Sequence, residues 1–271
     1  MNMLKLAVNG AAGRVGIRIL TCAQQDPNVG VVGALEGPDS PAIGKTIGEL
    51  IGQAAGGATV VSDLATAVQD AHCVIDFSHH TSSIERLEQA AALGKALVVG
   101  TTGYTVEERA RLLSLSTQVP LVWAANYSTG VNLLFYLVEK VADVLREGYD
   151  IEIVEQHHRF KTDAPSGTAL RIAEVIANVL DRDLKDVARY GRHGETGMRS
   201  QEEIGISSIR AGDCVGTHTV YFGTMGEQLE LTHRASSRDT FAQGALRAAK
   251  FAVASPPGLY DMQAVLGLNA E

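Results

Sequence analysis

The run EQHHRFKTDAPSGTAL, residues 155–170, gathers two adjacent histidines, Arg159, Lys161 and a Ser-Gly-Thr turn in one short stretch. Histidine is the side chain poised to exchange a proton near neutral pH. A lysine beside it holds an anion or protonates a developing negative nitrogen. In strand geometry Glu155 and His157 share a face while His158 points to the other, so both histidines reach one ligand only if the strand ends there. The basic and turn residues that follow place the end there. The segment DAPSGTAL then opens a helix that Asp163 or Ser166 caps, with the amides of Ser166, Gly167 and Thr168 forming a carboxylate site. A lone histidine is usually a structural residue, but donor, cation and anion cradle together point to proton chemistry on a small carboxylate.

A second constellation lies at the N-terminus. VNGAAGRVG supplies Gly10, Gly13 and Gly16 as G-x-x-G-x-x-G, with Ala11 and Ala12 filling the interval. Small residues between a strand and a helix let the backbone approach a pyrophosphate, and the free N–H groups and dipole of the helix N-terminus stabilise its charge. Arg14 adds a cation. Glu36 follows the second strand 20 residues after Gly16 (36 − 16 = 20), where an acid meets a ribose hydroxyl. Gly37, not Arg, comes next, and a carboxylate with no adjacent guanidinium repels a 2′-phosphate. NADH is therefore the expected cofactor and NADPH the second. The turns GTTG (Gly100 to Gly103), AANYS (Ala124 to Ser128) and DFSHH (Asp76 to His80) each follow an expected strand and face the same edge. His79 and His80, adjacent on a loop without carboxylate or cysteine partners, do not make a metal site.

Positioning these residues requires a particular order of elements. Short β-rich runs at 4–9, 29–35, 73–77, 96–100 and 121–123 alternate with amphipathic helices at 14–24, 82–93 and 106–116. That order makes an α/β, doubly wound parallel sheet. Residues 37–57 interrupt it as a long connection with a short helical turn. Beyond residue 127 the pattern changes to a helix at 130–145, a strand at 151–157 and a helix at 166–180. Runs at 204–210, 217–222 and 228–233 then suit an open, mixed sheet. The last helix, 239–254, packs back on the N-terminal sheet. The expected domains are 1–127 with 239–271 for the dinucleotide and 128–238 for the substrate.

The 271 residues are 45% apolar, 20% charged and 5% aromatic, with a net charge of −8. The acidic balance and few aromatic rings argue against a nucleic-acid partner. No run reaches membrane-spanning length, and Cys22, Cys73 and Cys214, far apart and without C-x-x-C spacing, read as reduced thiols, so the cytoplasm is the expected compartment.

The segments NGAAGRVG, DFS, VVGTTG, AANYS and above all EQHHRFKTDAPSGTA resemble the 4-hydroxy-tetrahydrodipicolinate reductase (dihydrodipicolinate reductase) family over almost the whole chain. The resemblance implies an N-terminal Rossmann domain, a C-terminal α+β domain that binds substrate and builds a homotetramer, and NAD(P)H-dependent reduction of a cyclic hydroxy-imine with loss of water, in lysine and diaminopimelate biosynthesis. It implies that His157 is the proton donor/acceptor and Lys161 the second donor, with His158, Gly167 and Thr168 as substrate ligands. Gly10, Ala11, Ala12, Gly13, Arg14, Val15, Glu36, Gly100, Thr101, Thr102, Ala124, Ala125, Asn126 and Tyr127 match the cofactor positions. The chain departs from the pattern at Gly37, where many members carry Arg, and at His79-His80. The competing readings are a reductase of another small carboxylate and an NADH-binding regulator without turnover, and an intact run from 157 to 168 disfavours the second.

Overall fold

The computed structural model describes residues 3–268. In chain order the elements are β1 (Leu4–Asn9), α1 (Arg14–Gln24), β2 (Val29–Leu35), α2 (Ile47–Leu50), β3 (Val60–Val61), α3 (Leu64–Val68), β4 (Cys73–Asp76), α4 (His80–Ala92), β5 (Ala96–Val99), α5 (Val106–Leu115) and β6 (Pro120–Trp123). Then come α6 (Thr129–Val144), β7 (Asp150–His157), α7 (Gly167–Val179), α8 (Leu184–Val187), β8 (Ala188–Tyr190), β9 (Ile204–Arg210), β10 (Gly216–Thr224), β11 (Glu227–Ala235), α9 (Asp239–Ala254), β12 (Gly258–Tyr260) and α10 (Met262–Leu266). They form two compact units, Met1–Thr129 with Arg238–Glu271, and Gly130–Ser237.

The first unit is a seven-stranded sheet in the order β12-β6-β5-β4-β1-β2-β3, with every pairing parallel. Strands such as VVGAL and ALVV are apolar on both faces, as a sheet covered by helices on both sides requires. One cover contains α1 and α9, whose Ile19, Leu20, Ala245 and Ala249 pack with Leu6, Val8 and Val98. The other contains α3, α4 and α5, with Val68, Leu87 and Leu112 against Leu97 and Leu121. The chain winds outward in opposite directions from β1 and β4, so their adjacent C-terminal ends, Asn9 and Asp76, mark the switch point where such sheets bind ligands.

The second unit is a five-stranded mixed sheet, β11-β10-β7-β9-β8, with β7 antiparallel to β10 and parallel to β9. Ala169, Ile172, Ala173, Ile176 and Ala177 of α7 recur at helical spacing and make one apolar stripe. That stripe packs with Val131, Leu134 and Val138 of α6 on Ile151, Ile153, Ile206, Val220 and Phe222 of the sheet.

Several expectations need correction. The strands expected to reach Phe77 and Gly100 end at Asp76 and Val99. Helix α4 starts at His80, not Ser82, because His79 holds the extended N-cap position and His80 already belongs to the first turn. The short elements β3, α3, α8, β8, β12 and α10 were not anticipated. β12 extends the parallel sheet beyond β6, opposite Pro120, Leu121 and Val122.

Candidate active site

In the first unit the glycine turn is held by its backbone. Gly10 adopts φ +80°, and a Cβ there would lie 2.5 Å from the Phe77 carbonyl oxygen, so neither the conformation nor the space admits a side chain. The Gly10 and Ala11 amides donate to Leu35 O, and the Gly13 amide donates to Gly10 O. Helix α1 begins at an N-cap, Gly13, with no side-chain cap, whereas α2 and α5 are closed by Thr46/Glu49 and Thr105/Glu108 capping boxes. The first-turn amides of α1, including those of Arg14 and Val15, are thus not taken by a cap, as an anion site requires.

Glu36 lies just past β2, and its Oε1 accepts the Ala12 amide at 2.7 Å. Arg86 of α4 ties the same corner, donating to Asn9 Oδ1 at 2.7 Å and to Glu36 O at 2.8 Å. A groove of about 640 Å³ opens beside these residues, its walls including Gly10, Gly13, Glu36, Lys45, His79 and Arg86. A second hollow of about 320 Å³ is bordered by Thr101, Thr102, Trp123, Ala124 and Ala125. Beneath the edge, the fully buried Asp76 accepts from Asn9 and Ser78 at 2.6 Å each, from Thr101 at 2.9 Å, and from Ser83. This carboxylate pins three loops at the switch point. Ser78 and Ser83 lie within seven residues of it, but Asn9 and Thr101 come from the ends of other strands, so the strand end "DFS" alone does not reveal the anchor.

Three expected cofactor residues take other tasks with their side chains. The Tyr127 hydroxyl is buried and donates to Val99 O and Val122 O, both at 3.0 Å, so only its backbone is left for a ligand. Thr101 directs its hydroxyl to Asp76, and Asn126 Oδ1 accepts the Ser128 amide. His80 is not a loop residue: it opens α4, and its Nδ1 sits 3.0 Å from Glu108, closing the start of α4 against α5, while His79 stays in the loop as the N-cap, its Nδ1 2.9 Å from Thr81 Oγ1. Among the described residues no cluster of His, Cys, Asp or Glu could hold a metal, and no helix is long and apolar enough to cross a membrane.

In the second unit, β7 ends at His157, as the proton cluster needs. His157 Nδ1 lies 2.5 Å from Oε2 of Glu155, whose side chain is fully buried. Arg210 of β9 grips both oxygens of that carboxylate at 2.7 and 2.9 Å, and the Ser166 amide donates to Oε1 at 3.2 Å. Burial pushes the Glu155 carboxyl up, but hydrogen bonds from Arg210, Ser208 and His157 outweigh it and hold it at about 2. Burial likewise lowers the His157 imidazole, and Glu155 draws it partly back. Because an ionised carboxylate only accepts, Nδ1 of His157 carries a proton and Nε2 is the end that exchanges one. Gly216 makes room for that end, since a Cβ there would lie 3.0 Å from Nε2.

Lys161 Nζ donates to both oxygens of Asp163 at 2.8 and 2.7 Å. Asp163 therefore pairs with the lysine, and Ser166 is the cap of α7, accepting the Ala169 amide. The expected three-amide cradle is corrected to two, Gly167 and Thr168, because Glu155 takes the Ser166 amide. Gly167 is exposed, with open space where its Cβ would be. Nδ1 of His158 is buried and has no hydrogen-bond partner among the described residues, as a ligand contact would leave it.

Sequence reasoning missed Arg210 and His218. His218 lies opposite Glu155 on β10, packs edge-on against His157 at 5.2 Å between ring centroids, and shares a 3.0 Å hydrogen bond with Ser166 Oγ. Burial, reinforced by the charge of His157, brings it down to about 4.

A switch-point glycine turn with a following acid, joined in one chain to a histidine–carboxylate pair, a lysine and a helix N-terminus, defines a nicotinamide-dependent reductase. Models of "Dihydrodipicolinate reductase, N-terminus" and "Dihydrodipicolinate reductase, C-terminus" match residues 4–127 and 130–266. The chain belongs to the dihydrodipicolinate reductase family. It is 47% identical over 268 residues to the 4-hydroxy-tetrahydrodipicolinate reductase of Syntrophus aciditrophicus, covering 99% of this chain and all (100%) of that one. It is 49% identical over 267 residues to the enzyme of the same name from Anaeromyxobacter dehalogenans, covering 98% and 99%. The fold matches the dipicolinate-bound dihydrodipicolinate reductase of Paenisporosarcina sp. TG-14 with a TM-score of 0.78 at 23% identity, covering 96% and 97% of the two chains. It also matches a probable dehydrogenase from Thermotoga maritima, TM-score 0.62 at 10% identity, covering 98% and 93%.

Proposed function

We propose that the protein reduces 4-hydroxy-tetrahydrodipicolinate to tetrahydrodipicolinate with loss of water, using a reduced nicotinamide dinucleotide, in lysine and diaminopimelate biosynthesis. The observation that carries this reading is the His157–Glu155–Arg210 cluster beside Lys161 and the start of α7, in a chain matched by both family models. The nucleotide suits the first unit because no side chain caps α1 and a groove of about 640 Å³ opens beside Gly10, Gly13 and Glu36. The uncapped amides of Arg14 and Val15, at the end of the turn Gly10–Gly13, hold the pyrophosphate, Glu36 the adenosine ribose, and the turns Gly100–Thr102 and Ala124–Tyr127 the nicotinamide end. When bound, the dinucleotide supplies the hydride. His157 gives or takes a proton at Nε2, Lys161 supplies a second proton, and His158 with the Gly167 and Thr168 amides binds substrate carboxylate.

NADH is the preferred cofactor and NADPH the second. Glu36 repels a 2′-phosphate and Gly37 brings no guanidinium; of the two cations that border the groove, Arg86 is tied to Asn9 Oδ1 and Glu36 O, and the exposed Lys45 offers a phosphate its charge. The ratio of kcat/KM for NADH to that for NADPH tests this; the ratio drops in Glu36→Gln and rises in Lys45→Ala. A cytoplasmic homotetramer is the expected state. The sheet face of the second unit opposite its helices, with Val154, Ile209 and Tyr221, is the surface for that assembly, and light scattering measures its mass. A reductase of another carboxylate would oxidise NADH only with that substrate, and an NADH-binding regulator would not turn over at all.

A further inference from the structure

Resting on the reductase reading, we propose that Glu155 is a positioning residue that sets the tautomer of the proton donor and ties it to the anion cradle. One buried carboxylate makes both connections. Its Oε2 faces His157 Nδ1 at 2.5 Å, and its Oε1 accepts the amide of Ser166, the cap of α7, at 3.2 Å. Arg210 spans both oxygens and also donates to Asp163 O, so the carboxylate cannot rotate without breaking a bidentate pair and the loop that carries Lys161. His218 completes the frame by bonding the Ser166 hydroxyl and resting edge-on against His157.

In neutral His157 this arrangement requires the proton on Nδ1 and a lone pair on Nε2. In the imidazolium both nitrogens carry protons, and only the Nε2 proton is transferred. Glu155 stays ionised throughout and takes no proton. The titratable groups facing His157 are Glu155 from its own strand, Arg210 from β9, His218 from β10, and Lys161 with Asp163 from the loop after β7. Glu155 favours the imidazolium, whereas Lys161, Arg210 and burial oppose it. A glutamine at 155 would turn its oxygen to Arg210 and the Ser166 amide and its NH2 to His157 Nδ1. Nδ1 would then be forced to accept, moving the neutral proton to Nε2.

Nitrogen-15 NMR of the side chains tests this on the intact protein, with the His157 signals assigned by their loss in His157→Gln. The expected result is the Nδ1–H tautomer in the wild type and the Nε2–H tautomer in Glu155→Gln. In Glu155→Gln kcat/KM falls about a hundredfold, and the pH limb belonging to His157 moves about one unit lower. Glu155→Asp, which keeps the charge, retains the wild-type limb. An Nε2–H tautomer in the wild type overturns the proposal even if Glu155→Gln does not fold. So does a lower melting temperature in Glu155→Gln with unchanged tautomer and limb, or an aspartate that shifts the limb as glutamine does. The tautomer is read without substrate, so a wrong substrate assignment leaves this result intact. Conversely, a wrong tautomer leaves the reductase reading standing.

Discussion

The nucleotide edge of the first unit and the proton cluster of the second are built in opposite ways, although each ends at the start of a helix. The first is built from main chain: a glycine turn whose own amides are bonded within the protein, the uncapped helix start that follows it, and a buried Asp76 that fixes loops without facing the ligand. The second is built from side chains held by a buried ion pair, with three strands and a helix start converging on Glu155. A pyrophosphate needs only partial positive charge at a fixed distance, which backbone provides at no cost in side-chain ordering. Proton transfer needs an atom that changes protonation state, so its pKa and tautomer must be set by neighbours.

Substitutions that separate these two strategies sharpen the contrast. The largest effect is expected in the second unit: His157→Gln and Lys161→Ala each lower turnover about a hundred- to ten-thousand-fold. Their cofactor affinity, read by fluorescence titration, stays at the wild-type value. Unchanged turnover in both variants breaks the assignment of the cluster.

Next comes the first unit's glycine. Gly10→Ala forces a side chain to φ +80° against Phe77 O, a strain of about 1–3 kcal/mol. Dinucleotide affinity should drop roughly tenfold or more for that reason, with kcat at saturating cofactor largely kept. Equal losses in both parameters would erase the distinction between a backbone-built and a side-chain-built site. Arg14→Ala, removing an exposed cation beside the same turn, should weaken affinity only a few-fold, and less at high salt.

The mildest effect is on stability in acid, and it should localise to the second unit. His218 sits at about 4 against an ordinary 6.5, so the folded state binds fewer protons than the unfolded chain between those values. Stability is complete above pH 6.5 and declines as pH falls toward 4. Glu155, at about 2 against an ordinary 4.5, adds stability above 4.5 that is lost as pH falls through 2. Thermal melts should therefore decline from pH 7.5 to 4.5, and His218→Gln should flatten the upper part of that decline. Hydrogen exchange would show the loss in β7, β9 and β10 before the parallel sheet.

The same contrast explains what could be read in the amino-acid order. The parallel sheet was legible because its strands are continuous apolar runs and α1 and α9 carry regular apolar spacing. That His157, Lys161, Gly167 and Thr168 come close together was legible because they share one unbroken run. Arg210 and His218 were not, because they lie 53 to 55 and 61 to 63 residues, respectively, from His157 and Glu155, and only the registers of β9 and β10 bring them there. Two- to five-residue elements such as β3 and α3 leave too short a period to recognise. The start of α4 was missed because His79 and His80 are poor helix signals, although the contact of His80 with Glu108 fixes it.

The most direct test follows NADH absorbance while a preceding synthase makes the substrate in place from pyruvate and aspartate semialdehyde. The predicted result is oxidation that requires the synthase, proceeds faster with NADH than with NADPH, and nearly vanishes in His157→Gln. Folded wild-type protein that binds NADH yet oxidises neither cofactor would contradict the account.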